Sequence, residues 1–523
     1  LAPAAQPPSE EAAQRDLAVS AIGFSEDPEA HVPLTDLLWD RDRNVRRAAL
    51  IAAGRVGSPA YWHRIVSQLF APNYANAATY ALVCIGEPVL GELDRAFSRA
   101  GTRLKARILR IYERIGHPRV QQLLLAKLGI PDREIRFQAL QALNRGGWKL
   151  DEVDVPLVVN EVENVVAGMV RHMSAILDLS GDGEAVNELR QALELEIQHG
   201  RRALFELLAL LYDRRSVNLV RENLERGGPG ALVYALEILE LMISPELKPV
   251  VFPVLEGSTY GAALKRLDQQ FPRHRMAQEE RLSAIANSPF DQISIWTRVT
   301  ALRAVAEVSE EIPPDLIAAL HHPARIVREV AAAEIRRKDP AVLEHHLAKL
   351  DDERREELAE LFSAEAAAWP WLSVIQRVEI YRSLPALENL PPDALVLLAD
   401  ESEERRLRPG QGIPSASDAG LVVYVILEGA AEVVPRDGGG RWPVGELPRL
   451  TVFGPVCDRV EAVEPTRTLW IDSAALCEVA ADHPDLLPTL VWAGQQQPGA
   501  VERDEREVME EAWADGHGLG VPV

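Results

Sequence analysis

Val45-Arg-Arg-Ala-Ala-Leu-Ile-Ala-Ala-Gly-Arg-Val-Gly57 is the stretch that decides the fold, because variants of it return at a nearly fixed interval. Counterparts begin at Ala75, Leu104 and Ile135, so successive starts lie 30, 29 and 31 residues apart. Glycines close all four on the same beat: Gly57, Gly86, Gly116 and Gly147. Within the unit, Val45, Ala48, Ala49, Ala52 and Val56 recur at helical spacing. They make a narrow stripe of small apolar residues that lets a neighbouring helix come close. A period of about thirty residues carried by helical sequence predicts an α-solenoid, in which no single unit buries enough surface to stand alone.

Asp42 precedes Arg46 by four residues and Asp132 stands in the same relation to Arg136. This spacing predicts exposed ion pairs at two helix starts, worth only about 0.3–0.5 kcal/mol each. The run Asp-x-x-Val-Arg-x-x-Ala, from Asp42 to Ala49, resembles the HEAT repeat family.

At 523 residues the chain is too long for one core. Its hydrophobic content is 47% but its aromatic content only 6%, the Ala, Leu and Val bias that stacked helices require. A formal net charge of −23 repels a phosphate backbone and argues against nucleic acid as a partner. Three widely spaced cysteines, Cys84, Cys457 and Cys477, fit a reducing compartment and neither a disulfide framework nor a zinc knuckle. No apolar run is long enough to cross a bilayer and no signal peptide is found. Leu1, without a preceding Met, is what a processed chain or a piece of a longer one would show.

Residues 1–33 read as a Pro/Ala/Glu-rich arm running into a capping helix, and 34–365 as the solenoid. Its middle is irregular. Met169–Gly181, Ala203–Arg215 and Leu232–Ser244 still look like second helices of pairs, residues 258–292 interrupt the repeat, and Trp296–Val308 and Val327–Asp339 resume it. The stretch from Ala235 to Glu256 resembles the HEAT region of bacterial nucleotide (ATP/ADP) translocase-like proteins. In these a major-facilitator membrane domain precedes HEAT repeats and a cyclic-nucleotide-binding-like domain. The resemblance implies a cytoplasmic module at the inner face of a membrane, accessory to a transporter.

From 366 to 492 the pattern changes to β-branched runs, Glu403–Leu407 and Leu421–Val434, the latter broken by Gly429. The order of an amphipathic helix after Trp371, Tyr424-Val-Ile-Leu-Glu-Gly429, Phe453-Gly454 and Arg467-Thr-Leu-Trp-Ile-Asp472 resembles the cyclic-nucleotide-binding domain family, a β jelly roll flanked by helices. The expected fold class is therefore mainly α, a HEAT-type α-solenoid followed by a smaller jelly roll. Residues 493–523 read as a mobile acidic tail.

In that family the ligand cassette begins Phe-Gly-Glu and ends Pro-Arg-x-Ala-Thr, with helix amides and the arginine on the cyclic phosphate and the glutamate on the ribose. Phe453 and Gly454 match, but Pro455 stands where the glutamate would, with neither acceptor nor N–H. Only Pro455–Arg459 remains for the segment that the family fills at greater length, with Arg459 as the candidate phosphate ligand. Cyclic nucleotide is accordingly not expected to bind, and the candidate site is Phe453, Gly454 and Arg459.

The sequence holds no phosphate loop, nucleophile elbow or His-Glu-x-x-His motif, so no enzyme chemistry, cofactor or metal is expected. Asp178-Leu-Ser-Gly-Asp-Gly183 echoes a calcium loop but reads as a helix-ending turn. The adjacent pairs His321-His322 and His345-His346 point their rings to different faces of a helix. The expectation is a non-catalytic scaffold whose solenoid surface engages a protein partner; the alternative is a nucleotide sensor that regulates an associated transporter.

Overall fold

The computed structural model describes residues 10–25, 31–71, 74–362, 371–413, 422–434, 442–443, 449–453 and 459–471, with positions 475, 476, 479, 480, 483, 486, 489 and 490. The expected acidic tail, 493–523, lies outside the described residues.

Among the described residues, nine α-helices make the N-terminal part: α1 (Glu10–Ile22), α2 (Leu34–Leu37), α3 (Arg43–Val56), α4 (Pro59–Ser67), α5 (Ala75–Ile85), α6 (Leu90–Arg99), α7 (Thr102–Ile115), α8 (Pro118–Lys127) and α9 (Arg133–Gly146). The quoted stretch is α3, and its counterparts are α5, α7 and α9. Of the predicted stripe, Val45, Ala49 and Ala52 are buried, and α1, α3, α5, α7 and α9 pack one on the next as a ladder. The closing glycines do what their spacing predicts. Gly57, Gly116 and Gly147 take left-handed φ of 67°, 60° and 66°, which ends each helix at little steric cost.

The ion pairs expected at these helix starts do not form. Asp42 caps α3 by accepting from the amides of Asn44 and Val45 at 2.9 and 3.2 Å, and Asp132 caps α9 through the Ile135 amide at 3.2 Å. A carboxylate at an N-cap gains more, about 1 kcal/mol, than an exposed pair would. Arg46 instead reaches Gln68 at 2.6 Å and stacks over Tyr74, while Arg136 bonds the Ile130 carbonyl at 2.7 Å.

α10 (Val155–Asp178) and α11 (Glu184–Leu211) run uninterrupted for 24 and 28 residues. Met169–Gly181 and Ala203–Arg215 are thus largely the C-terminal parts of two long helices, not second members of pairs. Gly200 does not break α11, because it is needed for close approach: a β-carbon there would stand 2.6 Å from Met169 Cγ. Asp178-to-Gly183 is the turn between the two helices, and Asp178 pairs with Arg281 at 2.6 Å.

The ladder steps from α11 directly to α17 (Ile295–Val308), then to α19 (Arg325–Lys338) and α22 (Val374–Arg382). α12 (Arg214–Arg226), α13 (Pro229–Met242), α14 (Lys248–Leu255) and α15 (Tyr260–Leu267) form a side branch against α10 and α11. α16 (Gln278–Ala286) pairs with α17; α18 (Pro314–Ala319), α20 (Pro340–Leu347) and α21 (Asp352–Phe362) flank α19, and α23 (Pro392–Asp400) pairs with α22.

Among the described residues eight strands follow: β1 (Ser402–Leu407), β2 (Gly412–Ile413), β3 (Val422–Glu428), β4 (Ala431–Val434), β5 (Trp442–Pro443), β6 (Arg449–Phe453), β7 (Arg459–Ala462) and β8 (Thr466–Ile471). They form two antiparallel sheets in the orders β1-β8-β3-β6 and β2-β7-β4-β5, the interleaved order of a jelly roll. Gly429, at φ 89°, makes the expected turn between β3 and β4.

Two apolar cores fill the molecule, and their seam lies within α10 and α11. Met169 and Ile197 belong to the first core, Ala175 and Leu193 to the second. The second core continues from α17 and α19 through Val378 and Leu398 into Val425 and Leu469 of the sheet, so the jelly roll is packed on the ladder rather than tethered to it.

Candidate functional site

The expected ligand cassette falls between β6 and β7. Phe453 ends β6 with its backbone opposite Val422, and Arg459 begins β7 opposite Val434, in a strand rather than on a loop. Gly454 and residues 455–458 lie outside the described residues.

Strand alternation places Val423, Val425, Leu469 and Ile471 against the helices, and Tyr424, Ile426, Thr468 and Trp470 on the other face. There the Tyr424 and Trp470 rings stand 5.6 Å apart, with the Arg405 guanidinium 3.4 Å over the indole. On the helix side, buried Arg467 bonds Glu404 at 2.8 Å and Glu428 at 3.1 Å across three strands. Glu404 also accepts from the Leu372 amide at 2.8 Å, which ties the approach to α22 to the sheet.

A second polar centre sits at the seam of the two cores, where the sequence pattern gave no expectation of a site. Arg133, the first residue of α9, pairs with Glu196 of α11. Glu196 also accepts from Thr297 Oγ1 at 2.6 Å and the Ser294 amide at 2.8 Å, and its side chain is 2% exposed. Burial works against its charge, yet Arg133 and these donors bring its carboxyl down to about 2. Asp393 of α23 lies 3.9 Å from Arg133 and accepts from the Trp296 amide at 3.3 Å, which joins α9, α11, α17 and α23 through one network.

Beside this network a cavity of about 120 Å³ opens between α9, α10, α11 and the Asp291-Gln292 turn. His172 of α10 is buried and lines it, with no hydrogen-bond partner among the described residues. His199 of α11 lines it too, its ring 5.0 Å from that of Phe137. Burial, with Arg171 and Arg133 nearby, lowers His172 to about 4; burial, Arg133 and Arg202 lower His199 to about 3. Both rings are therefore uncharged at neutral pH. A signal for this centre was present in the sequence: Glu196 interrupts the apolar series Leu189, Ala192, Leu193, Ile197, and His172 interrupts Val162, Val166, Met169, Met173. Polar residues on a buried stripe need partners or ligands.

Among the described residues no group of three or more His, Cys, Asp or Glu could hold a metal, and no helix is long and apolar enough to cross a membrane. His322 of the first histidine pair accepts from the Ala324 amide at 3.0 Å, and His345 and His346 pack edge to face.

No family model matches the chain, and no curated protein matches it. Solved structures with cyclic-nucleotide-binding-like domains do. The regulatory subunit of a cAMP-independent protein kinase A from Trypanosoma brucei is 22% identical over 28% of this chain and 53% of its own, with a TM-score of 0.20. The regulatory domain of Toxoplasma gondii PKA, co-crystallised with cAMP, is 17% identical over 26% of this chain and 55% of its own, again at 0.20. The C-linker/CNBHD of zELK channels is 18% identical over 33% of this chain and 98% of its own, also at 0.20. The chain thus spans about half the length of the two kinase regulatory proteins. At these TM-scores the likenesses carry no argument, and the jelly roll rests on its own strand order.

Proposed function

We propose that this protein is a non-catalytic interaction module: a HEAT-type α-solenoid with a cyclic-nucleotide-binding-type jelly roll that has lost its ligand, engaging a protein partner. The partner is a membrane transporter or its complex at the cytoplasmic face of the membrane. The observation that carries the reading is α13. Tyr234 and Leu241, seven residues apart and so on one face, are 50% and 90% exposed, with Val233 beside them at 55%. Large apolar side chains left in water, here on either side of the exposed Glu237, suit a surface that another protein covers. The jelly roll serves as a rigid end in this reading, fixed by the Glu329 carboxylate to the Val374 amide at 2.6 Å and by Arg103 to Glu401 at 3.2 Å.

The test is a photo-crosslinking residue at Leu241 in the full chain, in cells. A covalent adduct to a membrane-transport protein that disappears with Tyr234→Ser supports the reading. No adduct at normal expression overturns it. Titration of the full chain with cyclic AMP and cyclic GMP decides the jelly roll's part: saturable binding would replace the scaffold reading by the sensor.

A further inference from the structure

The cavity at the seam of the two cores has features that the scaffold reading does not use. We propose that it binds a small oxyanion, of phosphate or monocarboxylate size, held by His172, His199 and Arg171.

The cavity is walled by three helices, each of which brings polar side chains to it. Arg133 is taken up by Glu196, and Arg136 by the carbonyls of Ile130 and Asp291. His172, Arg171 and His199 also line the space but have no hydrogen-bond partner among the described residues. A ring N–H that opens onto such a space with no protein partner is free to donate to a bound acceptor. His172, only 8% exposed, is the residue for which this matters most.

The formal charges lining the space balance, and the surroundings of the acids tip it towards an anion. Arg133 and Arg136 line it from α9 and Arg171 from α10, while Arg202 of α11 acts on His199 without lining the space. Against these three stand Glu161 of α10, Glu196 of α11 and Asp291 of the turn. Glu196 is neutralised by its own guanidinium, and burial pushes the Glu161 carboxyl up while Asn164 donates to it at 3.1 Å. Asp291 is left opposite Arg171 at the rim. An oxyanion inside would meet two neutral imidazoles and a guanidinium, with Phe137 and Met169 as apolar wall. Its position would also bridge α10 and α11 where the two cores meet, so occupancy should be read out as stability of the whole chain.

Calorimetric titration of the full chain with inorganic phosphate, sulfate and acetate, each also followed by thermal midpoint, tests the proposal. Saturable binding with a raised midpoint is expected for at least one anion; preference for phosphate or for acetate then assigns the headgroup. Arg171 is exposed, so Arg171→Gln should leave the fold intact and weaken binding about tenfold to a hundredfold, the worth of a charge-assisted hydrogen bond. His172→Phe keeps a ring in place but removes its nitrogens, and should abolish binding. The proposal is overturned if none of the three anions binds saturably, or if binding is unchanged by Arg171→Gln.

Discussion

Gly54 of α3 faces Ala81 of α5 so closely that a β-carbon on Gly54 would stand 2.4 Å from the Ala81 α-carbon. The contact is backbone to backbone, so no side chain can turn aside to relieve it. It explains why α3 and α5 meet through alanine and glycine: the two helices lie at a separation that larger residues would prevent.

Gly54→Ala should therefore destabilise the N-terminal ladder by about 1–3 kcal/mol, although alanine is the better helix former. Ala48→Gly, on the half-buried flank of the same helix, should cost only about 1 kcal/mol through propensity. Urea denaturation midpoints of the two variants check the order, and a Gly54→Ala chain as stable as the parent would mean that α3 and α5 are farther apart than described here.

Breaking the buried pair at the seam should cost more. Arg133→Met leaves Glu196 charged and 2% exposed, and the expected loss is about 3–5 kcal/mol. Adding Glu196→Gln, which retains an acceptor for Thr297 and Ser294, should recover part of that loss. A double-mutant cycle in denaturant measures the coupling, and strict additivity would show that the pair does not act as a unit.

The pH dependence follows from the same centre. His172 and His199 titrate near 4 and 3 when folded but at their ordinary 6.5 when unfolded. Between these values the unfolded chain binds more protons. Their contribution is therefore full above pH 6.5 and lost as the pH falls through the folded values, with a slope of up to about 1.4 kcal/mol per pH unit for each ring. Glu196, depressed to about 2, adds a loss in the same direction below its unfolded 4.5. Denaturation at pH 7, 6, 5 and 4 should show a plateau and then a fall, and His172→Gln should flatten the upper part of that fall.

In the jelly roll, Arg467 holds Glu404 and Glu428 together across β1, β8 and β3, and the Glu404 side chain is fully buried. Arg467→Met should leave that carboxylate with only the more distant Arg406, 3.7 Å away, at a cost of about 2–4 kcal/mol. Hydrogen exchange should quicken first in β1, in β8 and at the Leu372 amide that Glu404 accepts from. Unchanged protection there would mean that backbone pairing alone holds the sheet.

Local chemistry made several elements legible beforehand. The small-residue stripe and the glycine stops named α3, α5, α7 and α9, and the β-branched runs around Gly429 named β3 and β4. The same reasoning failed where one residue can serve two purposes. Asp42 and Asp132 have the spacing of ion pairs and the chemistry of caps, and the cap prevails because the free amides at a helix start lie nearer than a long arginine. Gly200 is a helix breaker by propensity, and in α11 it is the place where α10 must come close.

The sequence by itself determined the period, the glycine-stopped helix ends and the strands β1, β3, β4 and β8, because these depend on contacts among neighbours in the chain or on alternation along it. Tertiary structure alone decided the seam. Arg133, His172, Glu196, Thr297 and Asp393 are spread over some 260 positions, and no spacing relates them. They meet because two long helices cross from one apolar core to the next, and a charge or imidazole buried at such a crossing has to find its partner from whatever element packs there.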